Sequence, residues 1–561
     1  MSPKQSVALS KTQVVKQMLL LAVLAGGVFA QKITAPVDAA SQVQRIFAGF
    51  NHTDSPGCAV GASIEGVNVL SAVYGMADLE HSIALTPDSV FEPGSVTKQF
   101  TAAAVLLLAQ DGKLSLDDPV RKYIPELPDY GSAITIGHLI HHTSGLRDWG
   151  SIAAIGGWPR TTRANSNIHV LDIATRQKAL NYSPGADYSY TNTGYNLLAI
   201  LVGRVAGKSL SDFSRERIFV PLGMTSTEWR DDFHRIVRNR AIAYSQTGGT
   251  TRQEMPLENA HGNGGLLTTI GDLLRWNRNF TEMKVGGPAF VTAQHQQARL
   301  NNGRTIAYAA GLFVRSYKGL REVSHSGSTA GYRGWLGRYP DQGLSVAVLC
   351  NTSAANPGQL AHAVADIFLA GALPKQAAES FAQVDTAVLQ SKAGLYRSVR
   401  SNRTISIAPK DGHLELDGRV RLKPVSEKSF SSEADGSAVE FDTAAAGKAV
   451  RLRVVTDVDE DAYERAERAD PSRADLEVLT GEYASDEAEV TLKVALERAR
   501  LVIRRRPDSV ISLTPTFRDG FNSSLGSVRF IRDSHGRVVE MSIGQERVWD
   551  IRLRRTSVPQ P

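Results

Sequence analysis

The periodicity of this sequence changes after about residue 372, and that change limits the possible folds more than any other feature. Up to that point, helix-like segments such as "TNTGYNLLAILVGRVAG" alternate with strand-like segments such as "YRGWLGRYPDQGLSVAVLCN". Beyond about residue 384 the chain consists of short runs of alternating apolar residues separated by turn signals. Because 561 residues are too many for one core, we expect a large mixed α/β unit over residues 31–372, a linker over residues 373–383 and an all-β tail.

The tail contains two segments that resemble each other. "AGLYRS" at Gly394 and "TGEYAS" at Gly481 share one pattern, which indicates two related structural units. We therefore predict two small antiparallel β-barrel domains, over residues 384–468 and 476–556. The charged run "DVDEDAYERAERADPSRADLE", residues 457–477, is predicted to be a solvent-exposed connector between them.

The first thirty residues have the composition of a targeting segment. Lys4, Lys11 and Lys16 precede an apolar run from Met18 to Ala30, which ends in small residues. This run is too short to cross a bilayer, which needs about 20 apolar residues. We therefore expect a cleaved signal peptide over residues 1–30, an exported protein in the periplasm or the medium, and no stable membrane anchor.

The distribution of charge argues against a nucleic-acid-binding protein. The formal net charge is +6 and the isoelectric point is near 9.1, but the basic residues are spread along the chain. No basic stripe with interleaved aromatic residues is found in the sequence. Hydrophobic residues make up 42% of the chain and charged residues 21%, which is typical of a globular protein rather than a disordered one.

The segment "FEPGSVTKQFTAAAVLLLAQDG" places a serine and a lysine at the start of an apolar helix. Pro93 and Gly94 indicate a turn, and the spacing predicts a helix from Ser95 to about Asp111. Ser95 and Lys98 are three residues apart and therefore share one helix face. A serine needs a base to become a nucleophile, and a desolvated lysine is such a base. The alternative is a helix-capping serine followed by a surface lysine.

Two further motifs make this pair specific. The chain has one Tyr-x-Asn sequence, at residues 190–192, and one His-x-Gly sequence, at residues 325–327. Ser-x-x-Lys, Tyr-x-Asn and His/Lys-x-Gly, in this order, resemble the three active-site motifs of the penicillin-recognising serine hydrolases. The segments "IGHLIHHTSGL" and "GNGGLLTTIGDLLRW" also resemble sequences of this group. The resemblance covers about Ala48 to Leu369 and is greatest with the class C β-lactamase, D,D-peptidase, D-aminopeptidase and esterase branch.

The resemblance implies an α/β domain with the β-lactamase/transpeptidase-like fold. In this group an antiparallel sheet carries helices on both faces, an all-helical lobe is inserted, and the active site lies between sheet and lobe. D-aminopeptidases of the group also carry two barrel domains after the catalytic one. By that analogy a tail loop narrows the cleft and selects small substrates. The alternative is that the barrels are solubility or wall-contact modules with no role in selectivity.

The resemblance also implies roles for the motif residues. Ser95 is the acylated nucleophile, and Lys98 is the neighbouring base that moves its proton. Tyr190 is the phenol that exchanges protons with the nucleophile and the leaving group. Since the ordinary tyrosine pKa is about 10, Tyr190 acts as a base only where nearby cations stabilise its phenolate.

Substrate binding is assigned to the remaining motif positions. Asn192 hydrogen-bonds the substrate amide, and the backbone amides of Ser95 and of Ser328, which follows Gly327, form the oxyanion hole. His325, the fourth predicted catalytic residue, stands where β-lactamases and D,D-carboxypeptidases usually carry a lysine that attracts a carboxylate. A neutral imidazole attracts a carboxylate less strongly than that lysine does, although a protonated imidazole could still do so. Histidine at this position resembles the D-aminopeptidases and some esterases of the group, so β-lactamase is the less favoured activity but is not excluded.

The only two cysteines are Cys58 and Cys350. In an exported chain two cysteines allow one disulfide, and two separate buried thiols are an equal alternative. In the fold that the resemblance implies, the first strand lies antiparallel to the last. Cys58 opens the first strand and Cys350 closes the last, so the resemblance implies that they are neighbours that could form a disulfide.

These observations predict an exported serine hydrolase that cleaves an amide or peptide bond next to a D-amino acid through an acyl-enzyme on Ser95. An ester or a β-lactam is the alternative substrate, and a non-catalytic peptidoglycan- or ligand-binding protein is the alternative of another class. No cofactor is expected. His138, His141 and His142 lack the helical His-Glu-x-x-His arrangement, so no metal site is predicted. The expected partner is a small molecule or peptide, and a homo-oligomer is left open.

Overall fold

The structure is a computed structural model that describes residues 33–160, 162–374, 381–444 and 448–557. Within these residues the chain forms an α/β unit, a closed eight-stranded barrel and a nine-stranded sheet that curls into a second barrel. The predicted signal peptide and part of the predicted linker lie outside the described residues. Across the described ranges, no helix combines the length and the apolar composition that crossing a membrane requires.

The first unit is built on a six-stranded antiparallel sheet, with three two-stranded pairs beside it. Its strands are β1 (Cys58–Ile64), β2 (Val67–Tyr74), β3 (Met76–Asp78), β4 (Ile83–Ala84), β5 (Glu228–Trp229), β6 (Tyr244–Thr247), β7 (Thr250–Gln253), β8 (Leu266–Leu267), β9 (Phe313–Tyr317), β10 (Leu320–Thr329), β11 (Tyr332–Tyr339) and β12 (Leu344–Cys350). The order in the main sheet is β2-β1-β12-β11-β10-β9. Strand β12 is buried on both faces, with Val346 packed on one side and Ala347 on the other. This explains why its sequence is an uninterrupted apolar run.

Helices cover both faces of this sheet and form a separate lobe. They are α1 (Ala39–Ile46), α2 (Lys98–Gln110), α3 (Ile136–Ile140), α4 (Trp149–Ile155), α5 (Asn167–Thr175), α6 (Asn192–Ala206), α7 (Leu210–Ser214), α8 (Val220–Leu222), α9 (Ile270–Glu282), α10 (Gly287–His295) and α11 (Pro357–Leu369). Helices α1 and α11 pack on one face through residues such as Val43 and Phe368. Helices α2 and α9 pack on the other, where the Phe100 and Trp276 rings are 4.5 Å apart. Helices α3 to α8 form the lobe, so the predicted fold class is confirmed.

A disulfide joins Cys58 to Cys350. Strands β1 and β12 are antiparallel neighbours, and the two cysteines lie directly opposite each other in their register, with Cα atoms 4.0 Å apart. The bridge spans 292 residues of sequence and ties the first strand of the sheet to the last. The pairing implied by the family fold is therefore formed.

The second unit is the closed barrel, preceded by helix α12 (Thr386–Lys392). Its strands are β13 (Gly394–Ser398), β14 (Thr404–Lys410), β15 (His413–Leu416), β16 (Val420–Pro424), β17 (Ser429–Ser432), β18 (Ala438–Thr443), β19 (Ala449–Val455) and β20 (Glu460–Ala466). The prediction that residues 457–477 form an exposed connector is wrong, because β20 lies in this range and closes the barrel between β13 and β19. Side chains of a strand alternate between its faces. Tyr463 therefore fills the core while its charged neighbours remain partly exposed.

The third unit begins with helix α13 (Arg473–Glu477). Its strands are β21 (Gly481–Ser485), β22 (Val490–Glu497), β23 (Arg500–Arg505), β24 (Ser509–Ser512), β25 (Thr514–Pro515), β26 (Gly520–Ser523), β27 (Gly526–Arg532), β28 (Val538–Gly544) and β29 (Ile551–Ser557). Trp149, Ile152 and Ile155 of α4 belong to the same buried cluster as Leu492 and Ile503 of this barrel. The second barrel and the helical lobe therefore share one core.

The two similar tail segments open the two barrels in the same way. The Tyr396 hydroxyl donates to the Lys392 carbonyl at 2.7 Å, and the Tyr483 hydroxyl donates to the Leu479 carbonyl at 2.9 Å. Each bond reaches back four residues, and both rings are fully buried. The repeated Gly-x-Tyr pattern therefore reflects one structural element used twice.

Replacing both cysteines with serine should destabilise the first unit. A native disulfide typically contributes about 2–4 kcal/mol to the free energy of unfolding, so we expect a loss of that size in the Cys58→Ser/Cys350→Ser variant. Chemical denaturation of the two proteins measures it. The unfolded wild-type chain should have no reactive thiol before reduction and two afterwards; two reactive thiols before reduction would contradict the bridge.

Candidate active site

The turn that carries Ser95 leads directly into helix α2. Residues Gly94–Thr97 form a 3₁₀ turn, and the α-helix begins at Lys98 rather than at Ser95, the start that the sequence predicts. Ser95 is half-buried, whereas Lys98 is fully buried. The lysine therefore lies beneath the serine, which contradicts the alternative of a surface lysine.

Close backbone contact between this turn and β10 brings Ser95 and Ser328 together. A Cβ atom added to Gly94, whose φ is +55°, would lie 2.4 Å from the Ser328 nitrogen. A Cβ atom on Gly327 would lie 1.9 Å from the Pro93 carbonyl oxygen and 2.6 Å from the Ser95 nitrogen. Only glycine allows so close an approach. The backbone amides of Ser95 and Ser328, which form the predicted oxyanion hole, therefore both lie at this close contact between the turn and β10.

The Lys98 amine lies among three oxygen atoms. Nζ is 3.1 Å from Ser95 Oγ, 3.0 Å from Asn192 Oδ1 and 2.7 Å from the Asn263 carbonyl oxygen. The amide and carbonyl oxygens only accept hydrogen bonds, whereas the serine hydroxyl can also donate one. A neutral amine has two hydrogens and one lone pair, so it satisfies all three partners when its lone pair faces the Ser95 hydroxyl. This is the arrangement of a base that takes the serine proton.

The surroundings of Lys98 favour that neutral form. Burial holds the pKa of Lys98 well below the ordinary value of a lysine, and the positive charges of Arg547 and Arg160 lower it further. The Asp148 carboxylate acts in the opposite direction and has the smallest effect of the four. A larger fraction of Lys98 is therefore neutral, and able to accept a proton, at a given pH than of a lysine exposed to water.

Tyr190 lies beside this amine. Lys98 Nζ is 4.7 Å from the centroid of the Tyr190 ring. The phenol hydroxyl is buried, and within the described ranges no group meets hydrogen-bond geometry with it. Burial raises the pKa of Tyr190 above its ordinary value, although the nearby Ser95 hydroxyl and the Arg547 charge oppose the rise. Burial of this phenol therefore favours its protonated form, and its role in proton transfer stays a prediction.

Asn192 is held at the first residue of α6. Its backbone N–H donates to Asp148 Oδ2 at 2.7 Å, and the Thr191 hydroxyl caps the helix by accepting from the Thr193 N–H. Its side-chain oxygen accepts from Lys98, so the amide links helix α6 to the base. Its contact with a substrate amide stays a prediction.

His325 belongs to a buried chain of hydrogen bonds. Its Nδ1 is 2.5 Å from the Ser326 carbonyl oxygen, and its Nε2 is 3.3 Å from the Tyr308 hydroxyl. That hydroxyl is also 3.2 Å from His142 Nε2, while His142 Nδ1 accepts from the Thr191 N–H at 3.3 Å. Donor and acceptor roles match along the whole chain when both imidazoles are neutral, with hydrogen on Nδ1 of His325 and on Nε2 of His142.

This chain keeps His325 uncharged. Burial lowers the pKa of His325 to about 3 and holds that of His142 well below its ordinary value. Protonation of His325 at Nε2 would also direct a new N–H at the hydroxyl proton of Tyr308. His325 therefore presents no cation at neutral pH, and its predicted catalytic role stays a prediction.

The three histidines of "HLIHH" enter separate hydrogen bonds. His138 Nδ1 accepts from the Thr135 N–H at 3.1 Å and completes a capping box at the start of α3. His141 Nδ1 is 2.9 Å from the Gly137 carbonyl oxygen, and His142 belongs to the buried chain just described. Their ring nitrogens thus have different partners instead of converging on one point, as metal ligands would.

Comparison with known proteins decides the family. The beta-lactamase family model matches residues 43–370, which is more than half of the chain. The chain belongs to the beta-lactamase family of penicillin-recognising serine hydrolases. The resemblance indicated by the three motifs is therefore confirmed.

One curated relative and two solved structures extend this result. Penicillin-binding protein 4* of Bacillus subtilis (strain 168) is 29% identical over 394 residues, 66% of this chain and 86% of that protein. The octameric penicillin-binding protein homologue from Pyrococcus abyssi matches 76% of this chain and 99% of its own, at TM-score 0.54 and 23% identity. D-amino acid amidase from Ochrobactrum anthropi SV3 matches 60% of this chain and 99% of its own, at TM-score 0.51 and 22% identity. At these identities the two structures establish a shared fold alone.

In this member of the beta-lactamase family, a loop of the second barrel reaches the active site. The Arg547 guanidinium carbon is 4.9 Å from the centroid of the Tyr190 ring. The Arg547 carbonyl accepts from the Asp148 N–H at 3.3 Å and from Asn181 Nδ2 at 3.1 Å, and the Trp549 N–H donates to Asn181 Oδ1 at 3.0 Å. The family analogy suggested a tail loop here. No local signal in "GQERVWDI" identifies the residue, because its position depends on how the barrel packs on the lobe.

A buried ion pair supports the nucleophile turn of the family. Glu92 precedes Pro93. Its carboxylate accepts two hydrogen bonds from Arg230, one from Nε at 2.8 Å and one from Nη2 at 3.0 Å. Glu92 Oε1 also accepts from the Gly265 N–H at 3.1 Å. Burial acts to raise the pKa of Glu92, but the charge and hydrogen bonds of Arg230 outweigh it and lower that pKa. Both partners are thus charged inside the protein.

Glu92→Gln should destabilise the protein strongly. The amide keeps the shape of the side chain but leaves Arg230 as a buried cation, because Glu258 lies 4.0 Å away and is already paired with Arg160. Removing one partner of a buried ion pair typically costs about 3–5 kcal/mol of the free energy of unfolding. Denaturation in guanidinium chloride measures the loss.

Glu126→Gln is the matched control for that variant. It removes the partner of Arg204 in a pair whose side chains are 37% and 43% exposed. Exposed pairs contribute about 0–1 kcal/mol, so this change should be nearly neutral. Equal losses in the two variants would show that the pair at Glu92 has no special role.

Proposed function

We propose that this protein is an exported serine hydrolase that cleaves an amide or peptide bond next to a D-amino acid through an acyl-enzyme on Ser95. The observation that carries the proposal is the 3.1 Å contact between Lys98 Nζ and Ser95 Oγ in a buried site. Its other two partners are oxygens that accept hydrogen bonds, which leaves the lone pair of a neutral amine for the serine proton. A serine beside such a base is an activated nucleophile.

In the acylation step, Lys98 takes the Ser95 proton as Oγ attacks the substrate carbonyl carbon. The resulting oxyanion accepts hydrogen bonds from the backbone amides of Ser95 and Ser328, which flank one contact. Tyr190 gives its proton to the leaving amine and regains one from Lys98. The carbon–nitrogen bond breaks, and the acyl group remains on Ser95 as an ester.

Deacylation uses Lys98 as the base a second time. A water molecule attacks the ester carbonyl while neutral Lys98 takes one of its protons. Ser95 then leaves as the alcohol with that proton, and the acid product dissociates. Lys98 must be neutral at the start of both steps, so its lowered pKa serves each of them.

The preference for a D-residue is supported by His325 in the third motif and by the fold shared with D-amino acid amidase. A short ester or a β-lactam is the runner-up, because the same acyl-enzyme chemistry would open either bond. The alternative function outside the enzymes is that of a non-catalytic peptidoglycan- or ligand-binding protein. Burying a lysine amine costs folding free energy, and a protein that only binds ligands gains nothing from directing that amine at Ser95.

Export of the protein is part of the proposal. The basic residues and short apolar run of residues 1–30 support it. The disulfide between Cys58 and Cys350 also supports it, because such bonds form and persist in oxidising compartments. We assign the protein to the periplasm or the medium.

Ser95→Ala should abolish covalent labelling by a fluorophosphonate and reduce turnover by at least about a thousandfold, as loss of a nucleophile generally does. Turnover is measured on D- and L-aminoacyl anilides, a D-Ala-D-Ala peptide, a chromogenic cephalosporin and short p-nitrophenyl esters. The substrate with the highest kcat/KM identifies the preferred bond.

Ser144→Ala is the control for this experiment. Ser144 is buried in a nearby turn, where its hydroxyl accepts from the Leu146 N–H at 3.3 Å. The Ser144→Ala variant should still be labelled at Ser95. Normal turnover of Ser95→Ala on the best wild-type substrate would overturn the proposed mechanism.

A further inference from the structure

We propose that Arg547, which the second barrel delivers into the active site, binds a carboxylate group of the substrate. The inference rests on the acyl-enzyme function proposed above and narrows its substrate class. The preferred substrate is a peptide with a free carboxylate near the scissile amide, rather than an uncharged or cationic aminoacyl amide. A residue of the tail thereby sets the specificity of the catalytic unit.

Arg547 differs in its partners from the two other arginines whose charges act on the site. The charges of Arg160 and Arg547 lower the pKa of Lys98, and the charge of Arg315 lowers the pKa of His325. Arg160 and Arg315 each form an ion pair with a carboxylate. In the part of the chain that the structure describes, the Arg547 guanidinium forms no such pair and lies over the Tyr190 ring. Arg547 is half-buried, so part of its side chain remains open to an anion from solution.

The loop that carries Arg547 is held by contacts from both other units. The Trp549 ring lies 5.0 Å from the Tyr182 ring of the catalytic unit and 4.3 Å from the Arg400 guanidinium carbon of the first barrel. These contacts add to the two hydrogen bonds that the Arg547 carbonyl accepts. The guanidinium is therefore placed before a substrate arrives, which lowers the entropic cost of binding.

A buried ion pair anchors the second barrel beside this loop. Arg147 Nη1 is 2.7 Å from Glu487 Oε1, and the two side chains are 5% and 10% exposed. Arg147 Nη2 donates to the Asp550 carbonyl at 2.6 Å, and Glu487 Oε1 also accepts from the Lys178 N–H at 2.7 Å. The distance between loop and nucleophile is thus fixed by packed structure and not by a linker.

The site needs a permanent cation if its substrate is anionic, because the motif residues do not supply one. Both ring nitrogens of His325 are engaged with the protein, and its imidazole is neutral. The three partners of Lys98 match a neutral amine. An arginine stays charged at every physiological pH, and its planar fork bonds a carboxylate with two parallel hydrogen bonds. Arg547 is the residue placed to do this.

The same charge discriminates against the opposite ligand. A free α-ammonium on the substrate would be repelled by the Arg547 guanidinium at short range. A carboxylate near the scissile bond therefore favours binding, and an ammonium in the same place opposes it. The ratio between matched substrates with and without the carboxylate measures the contribution of Arg547.

The experiment measures how two peptides protect Ser95 from a fluorophosphonate. The probes are acetyl-D-Ala-D-Ala, which has a free carboxylate, and the same peptide with a C-terminal amide. The concentration that halves the labelling rate is determined for the wild type, Arg547→Ala, Arg547→Lys and Arg554→Ala. Each protein is referred to its own unprotected rate. Arg554 is an exposed residue of β29 and serves as the control for removing an arginine from this barrel.

The wild type and Arg554→Ala should bind the acid about 10- to 100-fold more tightly than the amide, as expected for a charge-assisted hydrogen bond. Arg547→Ala should lose that preference by weakening the acid alone, and Arg547→Lys should recover part of it. An equal loss for acid and amide, an unchanged preference in Arg547→Ala, or no protection by either peptide would overturn the inference. A wild type whose Ser95 does not label would instead refute the proposed function.

Discussion

The exclusion of water from the Lys98 amine is the constraint on which the rest of the site depends. A lysine acts as a base for Ser95 only where its charged form is disfavoured, and no single segment can provide that environment. Helix α2 supplies the amine, the first residue of α6 supplies the Asn192 oxygen, and the segment before β8 supplies the Asn263 carbonyl. Glu92, just before the turn that leads into α2, is fixed by the hydrogen bonds of its buried carboxylate with Arg230.

The tail is part of this electrostatic arrangement. The second barrel shares a core with the helical lobe. It supplies Arg547, whose charge lowers the pKa of Lys98 and is the largest effect on that pKa after burial. A carboxylate bound at Arg547 would offset that charge and increase the affinity of neutral Lys98 for the Ser95 proton during the attack. Substrate binding and activation of Ser95 would then be coupled through one guanidinium. The neutral chain through His325 suits this arrangement, because it adds no competing charge.

The sequence predicted what depends on short spacing and could not predict what depends on packing between distant segments. Ser95 and Lys98 share a turn, and Gly327 precedes Ser328 on one strand, so motif spacing was enough to bring each pair together. The partners of Tyr308 and the position of Arg547 depend on contacts across units, which no local pattern reports. The prediction that the charged run of residues 457–477 is an exposed connector is wrong for a related reason. A strand needs few inward apolar residues when a barrel closes around them.

The pH dependence of Ser95 labelling by a fluorophosphonate, in the wild type and in Lys98→Arg, tests whether the neutral Lys98 amine is the base for Ser95. Labelling requires the unprotonated amine, so the wild-type rate should rise with pH through an apparent pKa well below that of an ordinary lysine and then level off. An arginine keeps a positive charge but stays protonated, so the variant should lose about a thousandfold in rate together with this pH-dependent rise. A Lys98→Arg variant that labels at the wild-type rate, or a wild-type rise centred near the ordinary lysine pKa, would show that a neutral, desolvated Lys98 is not the base for Ser95.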